Sequence, residues 1–135
     1  MNRFLGDGLL ALFGAPLPLD NQASAGARAA LKARASVERL AEARRMQGLE
    51  PLRIGLGINT GSLIAGCIGT SERTEYTVVG HAVNVASRLV SAAEPGQILV
   101  GPGTAALLDS GFAIRDRGVM DLKGVGPTPV FELLG

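Results

Sequence analysis

One cysteine, one histidine, one tyrosine and no tryptophan occur among 135 residues, and these scarcities remove several classes of protein. A lone Cys67 builds neither a disulfide framework nor a thiolate zinc cluster. A lone His81 supports neither a histidine-based triad nor a histidine-rich metal site. Four Phe and one Tyr, with none clustered on one strand, leave no stacking platform for RNA. Charge of one sign is lacking as well: 13 Lys and Arg face 12 Asp and Glu, for a net +1. Nucleic-acid binding would need a concentrated positive surface, so nucleic acid is not an expected partner. No apolar run nears the roughly 18 residues of a membrane span. What the chain has instead is 47% hydrophobic residues and 19 Gly. In a length sufficient for one domain with its own core, so much glycine implies tight turns and close backbone approaches.

The first nineteen residues carry an Arg and an apolar stretch, as a signal peptide would. Asp7 interrupts the apolar core, and Pro16 and Pro18 close it early, which argues against a cleaved leader. Two extended segments, 2–5 and 9–13, joined by a turn at Gly6-Asp7-Gly8, explain the same letters, because Asp-Gly is a strong hairpin cue. A cytoplasmic chain is the resulting default.

Downstream, Asp20 offers an N-cap to a helix running to Gln47, with Gly48 as its stop. Ala23, Ala27, Ala30, Leu31, Val37, Leu40 and Ala41 form its mostly small apolar face, and its arginines read as a solvated one. Residues 52–58 alternate as a strand, Asn59-Thr60-Gly61 turns, and 62–68 returns. Residues 76–79 are extended and lead through Gly80-His81 into a helix over 82–93, ended by Glu94-Pro95-Gly96. A short strand over 97–100, a small helix over 104–108, and strands over 112–117, 119–122 and 130–133 complete the chain. Mixed elements with several hairpins predict an α/β, or α+β, sandwich: helices packed on a mixed, largely antiparallel sheet, in one domain.

Three constellations could carry chemistry. Asp7 lies between two glycines at a hairpin tip; it is either a turn former or a ligand for a hard cation such as Mg2+. Asn84 and Arg88 are four apart in a helix and so share a face. They are either an ordinary polar face or an amide and a guanidinium aimed at a phosphate. Lys123, in a loop tightened by Gly124, Gly126 and Pro127, is a surface lysine or a phosphate contact. Gly55-x-Gly57-x-x-x-Gly61 is not a dinucleotide fingerprint, no GxxxxGK[ST] occurs, and Cys67 reads as packing.

Together these blocks resemble the catalytic domain of class III nucleotidyl cyclases, the adenylate and guanylate cyclase family. The resemblance rests on Arg3-Phe4-Leu5-Gly6-Asp7-Gly8 and Ile54-Gly55-Leu56-Gly57-Ile58-Asn59-Thr60-Gly61. It rests above all on Tyr76-Thr77-Val78-Val79-Gly80-His81-Ala82-Val83-Asn84-Val85-Ala86-Ser87-Arg88-Leu89, with Leu122-Lys123-Gly124 and Pro129-Val130-Phe131-Glu132-Leu133 in support. It implies a ferredoxin-like cyclase fold and conversion of ATP to 3′,5′-cyclic AMP and pyrophosphate for intracellular signalling. In the family two Mg2+ or Mn2+ ions activate the ribose 3′-hydroxyl for in-line attack on the α-phosphorus. By resemblance Asp7 matches one of the two metal-binding aspartates. Asn84 would orient the ribose, Arg88 would meet the phosphate charge, and Lys123 would contact the triphosphate. Thr77 matches the purine-selecting position, and Arg3 falls where an adenine-contacting Lys is usual. Sites shared between two chains imply a homodimer.

Three departures accompany the resemblance. The family's opening strand and helices, which bring the first metal aspartate, would precede Asp7, where only six residues stand. The expectation is a partial domain over residues 1–135, a fragment or a reading frame begun at an internal Met, weak or inactive by itself. Arg3 replaces Lys with a larger, planar group and, with Thr77, still favours ATP. His81 stands where Asp or Asn is usual, which weakens the cap. The alternative is a non-catalytic nucleotide-binding or dimerisation module on the same fold.

Overall fold

The computed structural model describes residues 2–5, 8–14, 19–69 and 74–135, with backbone alone for 2–5, 65–69 and 74–78. Eleven elements follow one another: β1 (Asn2–Leu5), β2 (Gly8–Ala11), α1 (Gln22–Met46), β3 (Leu56–Ile58), β4 (Ile64–Gly69), β5 (Thr74–Val79), α2 (His81–Ala92), β6 (Ile98–Val100), α3 (Pro102–Leu107), β7 (Ile114–Leu122) and β8 (Gly126–Leu133). The mixed α+β architecture is as expected from the sequence. Its centre is a four-stranded sheet in the order β3-β6-β8-β7, with β3 parallel to β6 and the other two pairings antiparallel. Two antiparallel hairpins, β1–β2 and β4–β5, pair within themselves among the described residues.

The two faces of the central sheet are read off three consecutive residues of β6. Ile98 and Val100 are fully buried on one face, packed with Ala27 and Ala30 of α1 and with Leu133. Leu99 points to the other face and packs with Val85 and Leu89 of α2, Leu122 and Val130. That alternation is the period-two geometry of a strand, so the helices lie on opposite faces. The small residues of α1 are its means of approach: Ala23, Ser24, Gly26, Ala27, Ala30 and Ala41 are buried.

Several boundaries differ from the sequence expectation. Asp20 does not cap α1; Asn21 occupies the N-cap in a left-handed conformation (φ 56°) and makes no capping side-chain hydrogen bond. The other end is as read: Gly48, at φ 74°, donates to Arg45 O and Leu49 donates to Arg44 O at 2.8 Å, the paired bonds of a glycine-terminated helix. The α1 face is narrower than predicted, since Leu40 is 47% exposed. Its arginines are not all merely solvated either: Arg34, half-buried, donates to Leu134 O at 2.7 Å, and Arg44 to Glu50 O at 2.6 Å.

The strand expected over 52–58 shortens to Leu56–Ile58, because β6 offers only three partners. The two strands expected over 112–117 and 119–122 are one, β7, with a bulge between Asp116 and Val119. Strand β8 begins four residues earlier than predicted, at Gly126, and runs through Pro127 and Pro129. Proline removes a ladder donor, but β6 pairs only with Phe131 and Glu132, so the proline stretch has β7 as its sole described neighbour.

Candidate active site

Helix α2 carries the two residues that the motif singles out. Asn84 and Arg88 are both exposed, one turn apart on the side away from the buried Ala82, Val85 and Leu89. Among the described residues neither side chain is engaged in a hydrogen bond or an ion pair. An amide and a guanidinium therefore stand side by side with their donors open to a ligand.

The position of α2 is set along its whole length by the segment 55–61. A Cβ on Gly57 would lie 2.8 Å from Ala86 O and 2.9 Å from Leu89 Cβ. One on Gly55 would lie 3.0 Å from Ala93 Cβ, and one on Gly61 would lie 3.0 Å from Ala82 Cβ. At Gly57 strand backbone meets helix backbone with no side chain between, and Gly55 and Gly61, on either side of β3, leave room for the methyl groups of Ala93 and Ala82. Asn59 fixes the first turn: its Nδ2 donates to Ala82 O at 3.0 Å. Space for the Asn59 side chain exists because Gly101, just past β6, has no Cβ to meet its Oδ1. At the entry, Gly80 is the N-cap with φ 151°, and a Cβ there would lie 3.1 Å from Leu63 Cα.

In the sequence Gly55-x-Gly57-x-x-x-Gly61 predicts a strand and a turn, and Asn59 has no role beyond that turn. Its signal was present: Gly55 and Gly57, two apart on a strand, point to one face, and that face is the one under α2.

Lys123 is exposed in the turn that joins β7 to β8, where Val125 N donates to Leu122 O. The preceding Leu122 is buried among Val85 and Leu89 of α2, so Lys123 follows directly on the packing that seats this helix. Thr77 lies in β5 opposite Gly66, three residues before Gly80, and Arg3 lies in β1 opposite Leu10. Only the backbone of these two is described. Asp7 lies outside the described residues.

A pair of Mg2+ or Mn2+ ions would need several oxygen ligands. Among the described residues no group of three His, Cys, Asp or Glu comes together. The described donors do not fit a two-ion site. Among the described residues, no helix is long and apolar enough to cross a membrane.

An exposed Asn and Arg thus stand one turn apart on a helix seated by glycines. Residues 3–135 match the family model of the adenylate and guanylate cyclase catalytic domain. The chain belongs to this cyclase family. An adenylate cyclase of Mycobacterium bovis is 37% identical over 130 residues, which cover 96% of this chain and 28% of that protein. The crystal structure of the adenylyl cyclase CyaB from P. aeruginosa superposes with a TM-score of 0.84 at 30% identity, covering 99% of this chain and 70% of that one. A crystal structure of a guanylyl cyclase superposes with a TM-score of 0.87 at 34% identity, covering 98% and 68%. Cyclases named for either nucleotide are thus among the relatives, and the chain spans only a minor part of the curated relative's length.

Proposed function

We propose that this cyclase domain is an adenylate cyclase. It would convert ATP to 3′,5′-cyclic AMP and pyrophosphate by in-line attack of the ribose 3′-hydroxyl on the α-phosphorus. The observation that carries the reading is the Asn84–Arg88 pair: exposed, unpartnered among the described residues, and held on a helix that Gly57 and Asn59 leave no room to slide. The Asn84 amide orients the ribose. The Arg88 guanidinium donates to the phosphate oxygens as charge grows on them, an interaction strengthened in the transition state. Lys123 adds a point charge for the triphosphate. Arg3 and Thr77 read the purine, with Thr77 able to donate or accept and Arg3 donating to a ring nitrogen. Asp7 is the side chain assigned to an Mg2+ or Mn2+ ion.

Residues 1–135 are proposed as a portion of that catalytic domain, acting in the cytoplasm as a homodimer. In that homodimer Asp7 and the Asn84–Arg88 pair of one site would come from different copies, so each site would be incomplete without its partner. A second reading is a nucleotide-binding or dimerisation module on the same fold, without turnover.

The deciding experiment measures cyclic AMP from ATP and cyclic GMP from GTP, each with Mn2+ or Mg2+, in the full-length protein and in the 135-residue chain. Cyclic AMP formation by the full-length protein, with far less from the chain alone, is the expected result. ATP binding with no cyclic product in the full-length protein would transfer the case to the binding module.

A further inference from the structure

The one histidine of the chain stands on the same helix as the proposed pair and has no part in the reading above. His81 is the first residue of α2 and is exposed. At 100° per residue, offsets of zero, three and seven place His81, Asn84 and Arg88 in one stripe, with His81 and Arg88 almost in line along the axis. The stripe is about 10 Å long at 1.5 Å per residue. Its members are an imidazole, an amide and a guanidinium, and all three are exposed. Among the described residues none of the three side chains is held by another residue. Among the described contacts at the start of α2, Gly61 and Asn59 meet Ala82, and Leu63 and Ser62 meet Gly80, all of them uncharged. No described carboxylate competes there for the imidazole.

We infer that His81 is a third nucleotide-contacting residue of this site, with its imidazole N–H donating to a phosphate or ribose oxygen of the nucleotide that Asn84 and Arg88 hold. The inference rests on the cyclase reading of that face and extends it by one turn of helix. A donor at this position adds a hydrogen bond to a charged acceptor. The histidine is not called on to cap the helix, contrary to the sequence expectation, because Gly80 holds the N-cap.

Because His81 is unique, its imidazole gives a single, assignable NMR signal. The test adds ATP with Ca2+ to the chain and follows that signal beside the backbone amides of Asn84 and Arg88. Movement of all three with one dissociation constant is expected. His81→Ala should weaken ATP binding by about tenfold, the scale of one hydrogen bond to a charged group, and His81→Gln, which keeps a donor, should recover most of it. If the Asn84 and Arg88 amides move while the imidazole stays fixed and His81→Ala binds as tightly, the inference fails and the cyclase reading stands. If saturating ATP moves none of the three, ATP affinity is compared between wild type and His81→Ala in the full-length protein, and equal affinity there overturns the inference while cyclic AMP formation by that protein keeps the cyclase reading.

Discussion

A Cβ on Gly57 would lie 2.9 Å from the Cβ of Leu89, so β3 and α2 are in contact through a missing side chain. Leu89 is fully buried in the cluster formed with Val85, Leu99, Leu122 and Val130, and it cannot retreat without opening that cluster. The opposing atoms at Gly57 are mostly helix backbone: Ala86 O at 2.8 Å and Val90 N at 2.9 Å. Side-chain rotation therefore offers little relief.

Gly57→Ala should accordingly lift α2 from the sheet. Overpacking of this kind costs about 1–3 kcal/mol. Urea unfolding should show a lower midpoint with an unchanged slope. Since Asn84 and Arg88 ride on the same helix, nucleotide turnover should fall as well, although neither residue has been altered.

Gly80 poses a different problem, because backbone conformation and space both oppose a side chain there. Its φ of 151° lies in a region that L side chains rarely adopt, and Leu63 Cα would sit 3.1 Å from a new Cβ. Gly80→Ala should cost about 1–3 kcal/mol of backbone strain, read as a lowered thermal midpoint. A stability equal to wild type would mean that the start of α2 is not held by Leu63.

Much of this arrangement was legible in the sequence, and the remainder was hidden for identifiable reasons. Helix α2 was readable to within a residue, because Gly80 and Pro95 punctuate a clean apolar stripe of Ala82, Val85 and Leu89. The sequence predicts β8 only from Val130, with Pro127 in the preceding loop, and proline is disfavoured in a strand interior. Only the register shows that β6 does not reach that stretch. The true cap of α1 escaped for a related reason: Asp20 and Asn21 are both good cap residues by type, and their sequence does not distinguish them. As for the site, the spacing of Asn84 and Arg88 foretold a shared face. That Gly55, Gly57 and Asn59 position the helix beneath them depends on which helix crosses β3, a tertiary fact.

Beyond the site, the loop after β3 is tied to α3 by one hydroxyl pair, Thr60 Oγ1 to Thr104 Oγ1 at 2.6 Å. Thr104 is fully buried while Thr60 is only partly so, and the two ends should respond unequally. Thr60→Val leaves the buried Thr104 hydroxyl without this partner, at about 1–3 kcal/mol. Thr104→Val removes the buried hydroxyl and leaves Thr60 within reach of water, at about 1 kcal/mol. A double-mutant cycle by urea unfolding checks the asymmetry, and equal losses for the two single variants would contradict it.

Asn84 and Arg88 yield the prediction that bears most directly on function. Both are exposed and, among the described residues, unpartnered, so Asn84→Ala and Arg88→Ala should leave the unfolding midpoint close to wild type. Each should lower cyclase turnover in the full-length protein by at least ~10²-fold, the scale of losing one preorganised donor to a developing charge. The loss should fall on kcat far more than on KM if the donors act in the transition state, and on KM alone if they merely hold the nucleotide. Arg88→Lys separates charge from geometry: the ammonium keeps the charge but lacks the planar fork that meets two phosphate oxygens together. It should therefore recover little of the lost rate. Wild-type kcat in both alanine variants would remove this face of α2 from the reaction, whatever the nucleotide.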